Sequence, residues 1–325
     1  MKQVKSTLIF LLTLFLILSQ VIVAHSATES IDDTRSAVYN AFKALIEAYS
    51  AGGNINNLTE RLNEALNLTS EAEAIAGTNP SEAQALLSEA KTLAQNVTDQ
   101  APLIKEEGLK QGQTSTVIAV GSVIGAIIIG VLIYIFGPDL LWRLWLRLRK
   151  NCIVKVTGAP KQEKNFVITM DHVCAAILAI ILIVAVFAGA QLFLAGRTGE
   201  TFSELGILGP HMRLGDYPKE VVAGDTVNLY VYIGNQMGRP VYYTVMIKIG
   251  DNNTSVNPAP IEPTMKLERI LLQNQNWTSP VNITLKQAGL NQRVIFELWT
   301  YNETSNTIDY DQRWGQIWLN VTAPP

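Results

Sequence analysis

The chain has 325 residues, 48% hydrophobic and only 16% charged, against about 25% charged in an ordinary globular protein. The deficit sits in three stretches without Asp, Glu, Lys or Arg, Ser6 to Ala24, Gln111 to Pro138 and Val173 to Gly196; each is of membrane length, which excludes one large soluble enzyme. The net charge of −3, from 25 basic and 28 acidic residues, lacks the basic excess of a nucleic-acid binder, so no nucleic-acid partner is expected.

At the amino terminus, Lys2 and Lys5 precede an apolar run from Thr7 to Val23, and Ala24-His25-Ser26 supplies small residues for a cleavage after Ser26. This pattern predicts a signal peptide over 1–26, with an uncleaved anchor as the alternative. Both outcomes export the chain from Thr28 onward.

Residues 27–113 read as an exported helical bundle. Ile31, Val38, Phe42, Leu45 and Tyr49 share one face before Gly52-Gly53. Leu58, Leu62, Ala65, Leu66, Thr69 and Ala72 form a second stripe closed by Gly77. Asn79-Pro80-Ser81-Glu82 then opens a third helix, with proline in the first turn, where its missing N–H costs nothing. Short connectors imply antiparallel neighbours, and Pro102 marks the expected end of the bundle.

The runs at 114–137 and 173–196 are each long enough for a transmembrane helix, and two such spans are expected. Neither interior holds an Asp, Glu, Lys, Arg or His, as a transport pathway normally would. Gly121 and Gly125 form a GxxxG pair; its expected use is packing of the two helices on each other, with a homo-oligomer through the same glycines as the alternative. Between the runs, 138–166 carries seven basic and two acidic residues, a balance that predicts a cytoplasmic loop. It opens with an interfacial helix, Leu140, Leu141, Leu144, Trp145 and Leu148 on one face and Arg143, Arg147 and Lys150 on another, a pattern suited to membrane lipid. A short hairpin around Gly158-Ala159-Pro160 is expected after it.

Residues 197–325 read as β. Val227, Leu229, Val231 and Ile233 alternate with polar and aromatic positions, and Gly238-Arg239-Pro240 turns the chain into Val241, Tyr243, Val245, Ile247 and Ile249. Further strands are expected near 202–208, 265–272, 281–286, 293–301 and 314–321. Seven short strands predict an immunoglobulin-like β-sandwich. The expected fold class is therefore an α plus β membrane protein: exported helical bundle, two transmembrane helices, exported sandwich.

Nine Asn-x-Ser/Thr sequons occur, at Asn57, Asn67, Asn96, Asn252, Asn253, Asn276, Asn282, Asn302 and Asn320. All lie in the two segments that the charge balance places outside, which predicts N-glycosylation. The two cysteines, Cys152 and Cys174, fall outside both exported segments, so each must cohere through its own apolar core. Tyr230, Tyr232 and Tyr242 on one hairpin, and Trp314 and Trp318 on the last strand, are the candidate partner-binding residues, since exposed aromatic faces stack on sugars or proteins.

The carboxy-terminal motifs Phe202 to Pro210, Asp216-Tyr217-Pro218, Val222 to Val227 and Gly234 to Val245 resemble the archaeal domain-of-unknown-function family numbered 1616, over about 125 residues. The resemblance implies an archaeal source and a cell-adhesion-like sandwich close to the outside of a membrane. Gln236-Met237-Gly238 stands where that family usually has an acidic or histidine-containing turn.

No catalytic, metal or cofactor motif stands out. His25, His172 and His211 are scattered, and Asp216, Glu220 and Asp225 read as solvated turn carboxylates. Asp251-Asn252-Asn253-Thr254 lacks the later glycine and glutamate of a calcium loop. The expectation is a non-enzymatic, N-glycosylated, membrane-anchored protein of the plasma membrane, both large domains outside, contacting envelope proteins or glycans. The alternatives are an accessory subunit of a membrane enzyme or translocation complex, and an uncharacterised hydrolase.

Overall fold

The computed structural model describes residues 30–149, 179–187, 189–190 and 200–324. The signal segment 1–26, Cys152, Cys174, His25, His172 and the hairpin around Gly158 lie outside the described residues. The chain divides into two compact units, Met1–Leu109 with Glu200–Pro325, and Lys110–Gly199.

In the first unit, helices α1 (Ile31–Ser50) and α2 (Asn56–Ile75) precede the start of α3 (Pro80–Arg149). Ser30 Oγ accepts the Asp33 N–H at 3.0 Å, and Asp32 and Asp33 occupy the positive first turn of α1, as N-capping requires. Asn79 closes a reciprocal cap with Glu82, its Nδ2 donating at 2.6 Å to the carboxylate. The turn after α1 depends on glycine. Gly52 has φ +83°, and a Cβ on Gly108 of α3 would lie 2.4 Å from the Gly53 nitrogen, so the backbones meet where side chains have no room.

Eight strands build a β-sandwich. One sheet has the order β1 (Phe202–Leu208), β3 (Thr226–Gln236), β6 (Asn276–Thr284). The other has the order β2 (Glu220–Val222), β8 (Thr307–Thr322), β7 (Gly289–Asn302), β4 (Val241–Gly250), β5 (Met265–Leu271). Leu229, Val231 and Ile233 face Val245, Ile247, Phe296 and Leu298 in the core between the sheets, the period-two pattern of a strand with one face inside. The strand that the sequence pattern does not predict is β2. Its three residues pair in parallel with the end of β8, too short a run to show an alternation.

The helical and β segments, expected as separate domains, share a core. Val38, Phe42 and Leu45 of α1, Leu58 and Leu62 of α2, and Ala90, Ala94 and Val97 of α3 pack together with Tyr242, Ile270 and Tyr301 from the outer face of the five-stranded sheet. Tyr39 stacks on Tyr301 with ring centres 4.4 Å apart and planes 7° from parallel, and Phe42 meets Tyr242 edge-on at 5.9 Å. Polar groups fix the docking. Asn63 donates to the Ile270 carbonyl at 3.0 Å and accepts the Ile270 N–H at 2.8 Å, which satisfies the unpaired edge of β5. Arg35 bridges Glu73 of α2 and Glu268 of β5 at 2.7 and 2.8 Å. At the other end of the same face, Lys248 and Glu297 form a buried pair at 2.8 Å. Ala259 meets both: its carbonyl accepts from Lys248 and its N–H donates to Glu297, so each charge is hydrogen-bonded as well as paired.

The second unit corrects the expected fold class. Among the described residues, no helix is long and apolar enough to cross a membrane. The run at 114–137 is not an element of its own but continues α3, whose first part carries Glu82, Glu89, Lys91, Asp99, Lys105 and Glu106. Pro102 does not end that helix. In the second run the described helical residues are 179–187 and 189–190. A Cβ on Gly121 or Gly125 would meet nothing within 4 Å, so among the described residues neither glycine serves a close helix contact.

The packing of the first unit has two measurable consequences. Asn63→Ala leaves both Ile270 backbone groups buried and unpaired and is expected to cost about 3 kcal/mol, while exposed Glu64→Gln changes stability by less than about 0.5 kcal/mol; denaturant unfolding distinguishes them. Burial pushes the Tyr243 hydroxyl up to about 12, and burial followed by the Glu268 charge raises Tyr242 well above its ordinary value. The neutral phenols therefore contribute stability that is complete below about pH 10 and lost as pH rises toward 12. Phenolate absorbance and circular dichroism should show the last tyrosines ionising together with unfolding; all ten tyrosines titrating near pH 10 with the fold intact would contradict this.

Candidate functional site

In the first unit a polar cleft of about 450 Å³ lies between α2 and the β5–β6 connection, within the range of small-ligand sites. One wall is a helical face, Asn56, Thr59, Glu60 and Asn63, spaced at three and four residues so that all point the same way. The other wall runs from Arg269 through Asn274, Gln275 and Asn276 to Trp277. Thr59 and Asn63 are committed to the fold, the first to the Ile55 carbonyl at 2.9 Å and the second to Ile270. Asn56, Glu60 and Asn276 are exposed.

The connecting turn is built by amides. Asn274 takes φ +63°, a left-handed conformation that asparagine tolerates. Leu272 N–H is accepted by Gln275 Oε1 at 2.9 Å, and Gln275 N–H by the Leu272 carbonyl at 3.0 Å. Fully buried Asn235 ties the turn to β3: its Nδ2 donates to the carbonyls of Leu271 and Arg239, each at 2.8 Å. The Arg269 guanidinium lies 5.8 Å from the centre of the Trp277 ring, within cation–π range. Burial draws Arg269 below its ordinary value and the Glu60 charge opposes that shift. A planar cation, a carboxylate, several amides and one indole therefore converge, a set that can hydrogen-bond hydroxyl-rich ligands and offer a ring face.

Sequence reasoning did not single out this site. Arg269 and Trp277 carry no motif, and Asn276 stood out only as a sequon. The proposed aromatic surface is distributed instead. Tyr242 does lie on the outer face of its sheet, but the helices cover that face and it is 0% exposed, which corrects its assignment as a contact residue. Trp314 and Trp318 are each 37% exposed on β8, with the Arg293 guanidinium 4.2 Å from the Trp318 ring. Tyr230 and Tyr232 are half-buried on the other sheet. The five aromatics do not form one platform.

Seven sequon asparagines are exposed; Asn302 and Asn320 are half-buried. The Asn302 amide donates to Asp309 at 2.8 Å, and Asn320 Oδ1 accepts the Asn291 N–H at 3.0 Å. His211 pairs with Asp216 at 2.6 Å on the surface. Asp251 accepts from Thr254 Oγ1 at 2.7 Å and from the Asn253 N–H at 3.0 Å, bonds that lower its carboxyl and close a turn. Among the described residues no group of three or more His, Cys, Asp or Glu side chains is arranged to hold a metal ion.

No curated protein matches the sequence. Among solved structures, a β-glucosidase from Listeria innocua in complex with isofagomine is similar at 14% identity over 38% of this chain and 16% of its own, with a TM-score of 0.28. A CARDB domain from Pyrococcus furiosus in complex with di-metal ions is similar at 17% identity over 40% of this chain and 96% of its own, with a TM-score of 0.27. This chain spans about a sixth of the β-glucosidase, and likenesses this distant say nothing of its activity. The sequence match is different in kind. Residues 196–320, from before β1 to within two residues of the end of β8, match the family described as Domain of unknown function (DUF1616), so the carboxy-terminal domain of this chain is a DUF1616 domain.

Proposed function

We propose that the protein is a non-enzymatic, N-glycosylated contact protein of the cell surface, held at a membrane and binding envelope glycans or glycan-bearing proteins through the cleft between α2 and the β5–β6 connection. The chemistry of the cleft carries this reading. Asn56 offers a paired amide donor and acceptor, Gln275 an amide donor, Glu60 and Arg269 offer charges, and Trp277 offers an indole ring. Sugars are recognised by such combinations of planar hydrogen-bonding groups and ring stacking.

Two further observations support display outside. The segments before and after 110–199 share one core, which supports placing both in one compartment, in keeping with the confinement of all nine sequons to them. In the second unit, Val117, Ile118, Ile129, Leu182, Val186 and Phe187 are each more than half exposed. Such side chains need an apolar partner, which membrane lipid supplies.

The test is retention of the full-length protein on isolated cell-envelope polysaccharide. The double variant Asn56→Ala with Glu60→Ala is expected to lower apparent affinity about tenfold, a loss of about 1.4 kcal/mol, with thermal stability nearly unchanged because both positions are exposed. Trp314→Ala with Trp318→Ala serves as the competing surface. Unchanged retention in the cleft variant together with loss in the tryptophan variant would move the contact to β8.

A further inference from the structure

The outer face of the three-stranded sheet carries an arrangement that the cleft does not explain. Asn276 stands opposite Gly234, which stands opposite Glu204; Thr278 stands opposite Tyr232, which stands opposite Gly206. Glycine thus stands on two sides of one tyrosine. A Cβ on Gly206 would lie 3.5 to 3.6 Å from Tyr232 Cβ and Cδ1, and a Cβ on Gly234 would lie 3.2 Å from the Tyr232 hydroxyl and 2.5 Å from Glu204 Oε2. The ring therefore lies along β3 above bare backbone. Its hydroxyl donates to Glu204 Oε2 at 2.9 Å. A ring held down on one side presents its other side to solvent.

Asn276 and Thr278 are both exposed on this face, and β6 is an edge strand. The sequon is therefore open to a modifying enzyme, with acceptor and hydroxyl on one side of an extended backbone. Asn282, the other sequon of β6, differs. It stands opposite Asn228, a residue with a side chain, where the position opposite Asn276 is the bare Gly234.

We propose that the first sugar of a glycan on Asn276 lies on the open face of Tyr232, above Gly234, with the Glu204 carboxylate accepting from sugar hydroxyls. The inference rests on the reading of the chain as exported and N-glycosylated. In the modification, Asn276 Nδ2 loses a proton and bonds to the anomeric carbon of a lipid-linked sugar, whose bond to the lipid phosphate breaks as that phosphate leaves. Tyr232 then serves as an internal platform for the protein's own glycan, since the apolar face of a pyranose ring packs on an aromatic ring. This role replaces contact with a foreign partner at Tyr232.

The experiment uses the full chain made in a host that N-glycosylates, with occupancy of each sequon read by glycopeptide mass spectrometry. Asn276→Gln is expected to lower Tm by about 2 °C in the parent and in Tyr232→Phe, which keeps the ring, and to have no effect in Tyr232→Leu. Asn282→Gln should give the same small change in all three backgrounds. As a second measurement in the unmutated chain, endoglycosidase should release the Asn276 glycan several-fold more slowly than the Asn282 glycan. Equal release rates, or an Asn276→Gln shift that persists in Tyr232→Leu, would overturn the platform while leaving glycosylation intact. The same holds if other sequons carry sugar and Asn276 does not. Unmodified asparagine at all nine positions would remove both the platform and the glycosylation reading beneath it.

Discussion

The outer face of the five-stranded sheet is the constraint on which the first unit depends. At one end it presents Tyr242, Ile270 and Tyr301, side chains that an isolated sandwich would leave in water. Covering a large aromatic or aliphatic side chain stabilises a fold by about 1.5 to 3 kcal/mol, and here α1 and α2 provide the cover. Arg35 and Asn63 then set the docking position, because each satisfies a group on β5: the Glu268 carboxylate, which also accepts from the Tyr242 hydroxyl at 3.1 Å, and the Ile270 backbone edge. Leaving a buried polar group unpaired costs more than a typical hydrogen bond contributes, so these two residues select one register of helix on sheet where apolar contact alone would permit sliding.

The cleft is a consequence of that docking. Its walls come from parts of the chain about 200 residues apart, and they face each other because the shared core, Arg35 and Asn63 hold α2 against β5. Asn235 plays the corresponding role for the turn, fixing the segment that carries Gln275 and Asn276 to the end of β3. A loop positioned by a rigid scaffold is the usual place for recognition. A variant that loosens either staple is therefore expected to move the cleft walls before it disturbs the sandwich core.

The two outer faces of the sandwich have different fates. One is covered by helices at one end and by the Lys248–Glu297–Ala259 contact at the other. The face of β1, β3 and β6 stays open and carries two of the sequons on its edge strand. An exposed edge invites pairing with another chain, and β6 carries Pro280 and exposed polar residues at 276, 278, 282 and 284. Sugars on that edge would add bulk where a second strand would otherwise approach.

The sequence by itself determined the local elements. Asn79 marks a helix start, Gly52 marks an end, and the alternation in 227–233 and 241–249 defines two strands, because caps, turns and periodicity depend on neighbours within a few residues. The family of the carboxy-terminal domain was legible for the same reason, being carried by contiguous motifs. The three-residue β2 was not legible, since its pairing partner lies about 100 residues away. Only the tertiary structure decided that the helical and β segments are one unit, that Tyr242 is core and not surface, and that Arg269, Trp277, Asn56 and Glu60 converge. Hydrophobic periodicity reports that a face is buried but not what buries it: the stripes of α1 and α2 account equally well for a self-contained bundle and for helices laid on a sheet. The apolar runs carry the same ambiguity, since their composition predicted two spans, whereas the backbone makes the first a continuation of α3. Composition reports the solvent a segment prefers, and only the path of the chain fixes where an element begins and ends.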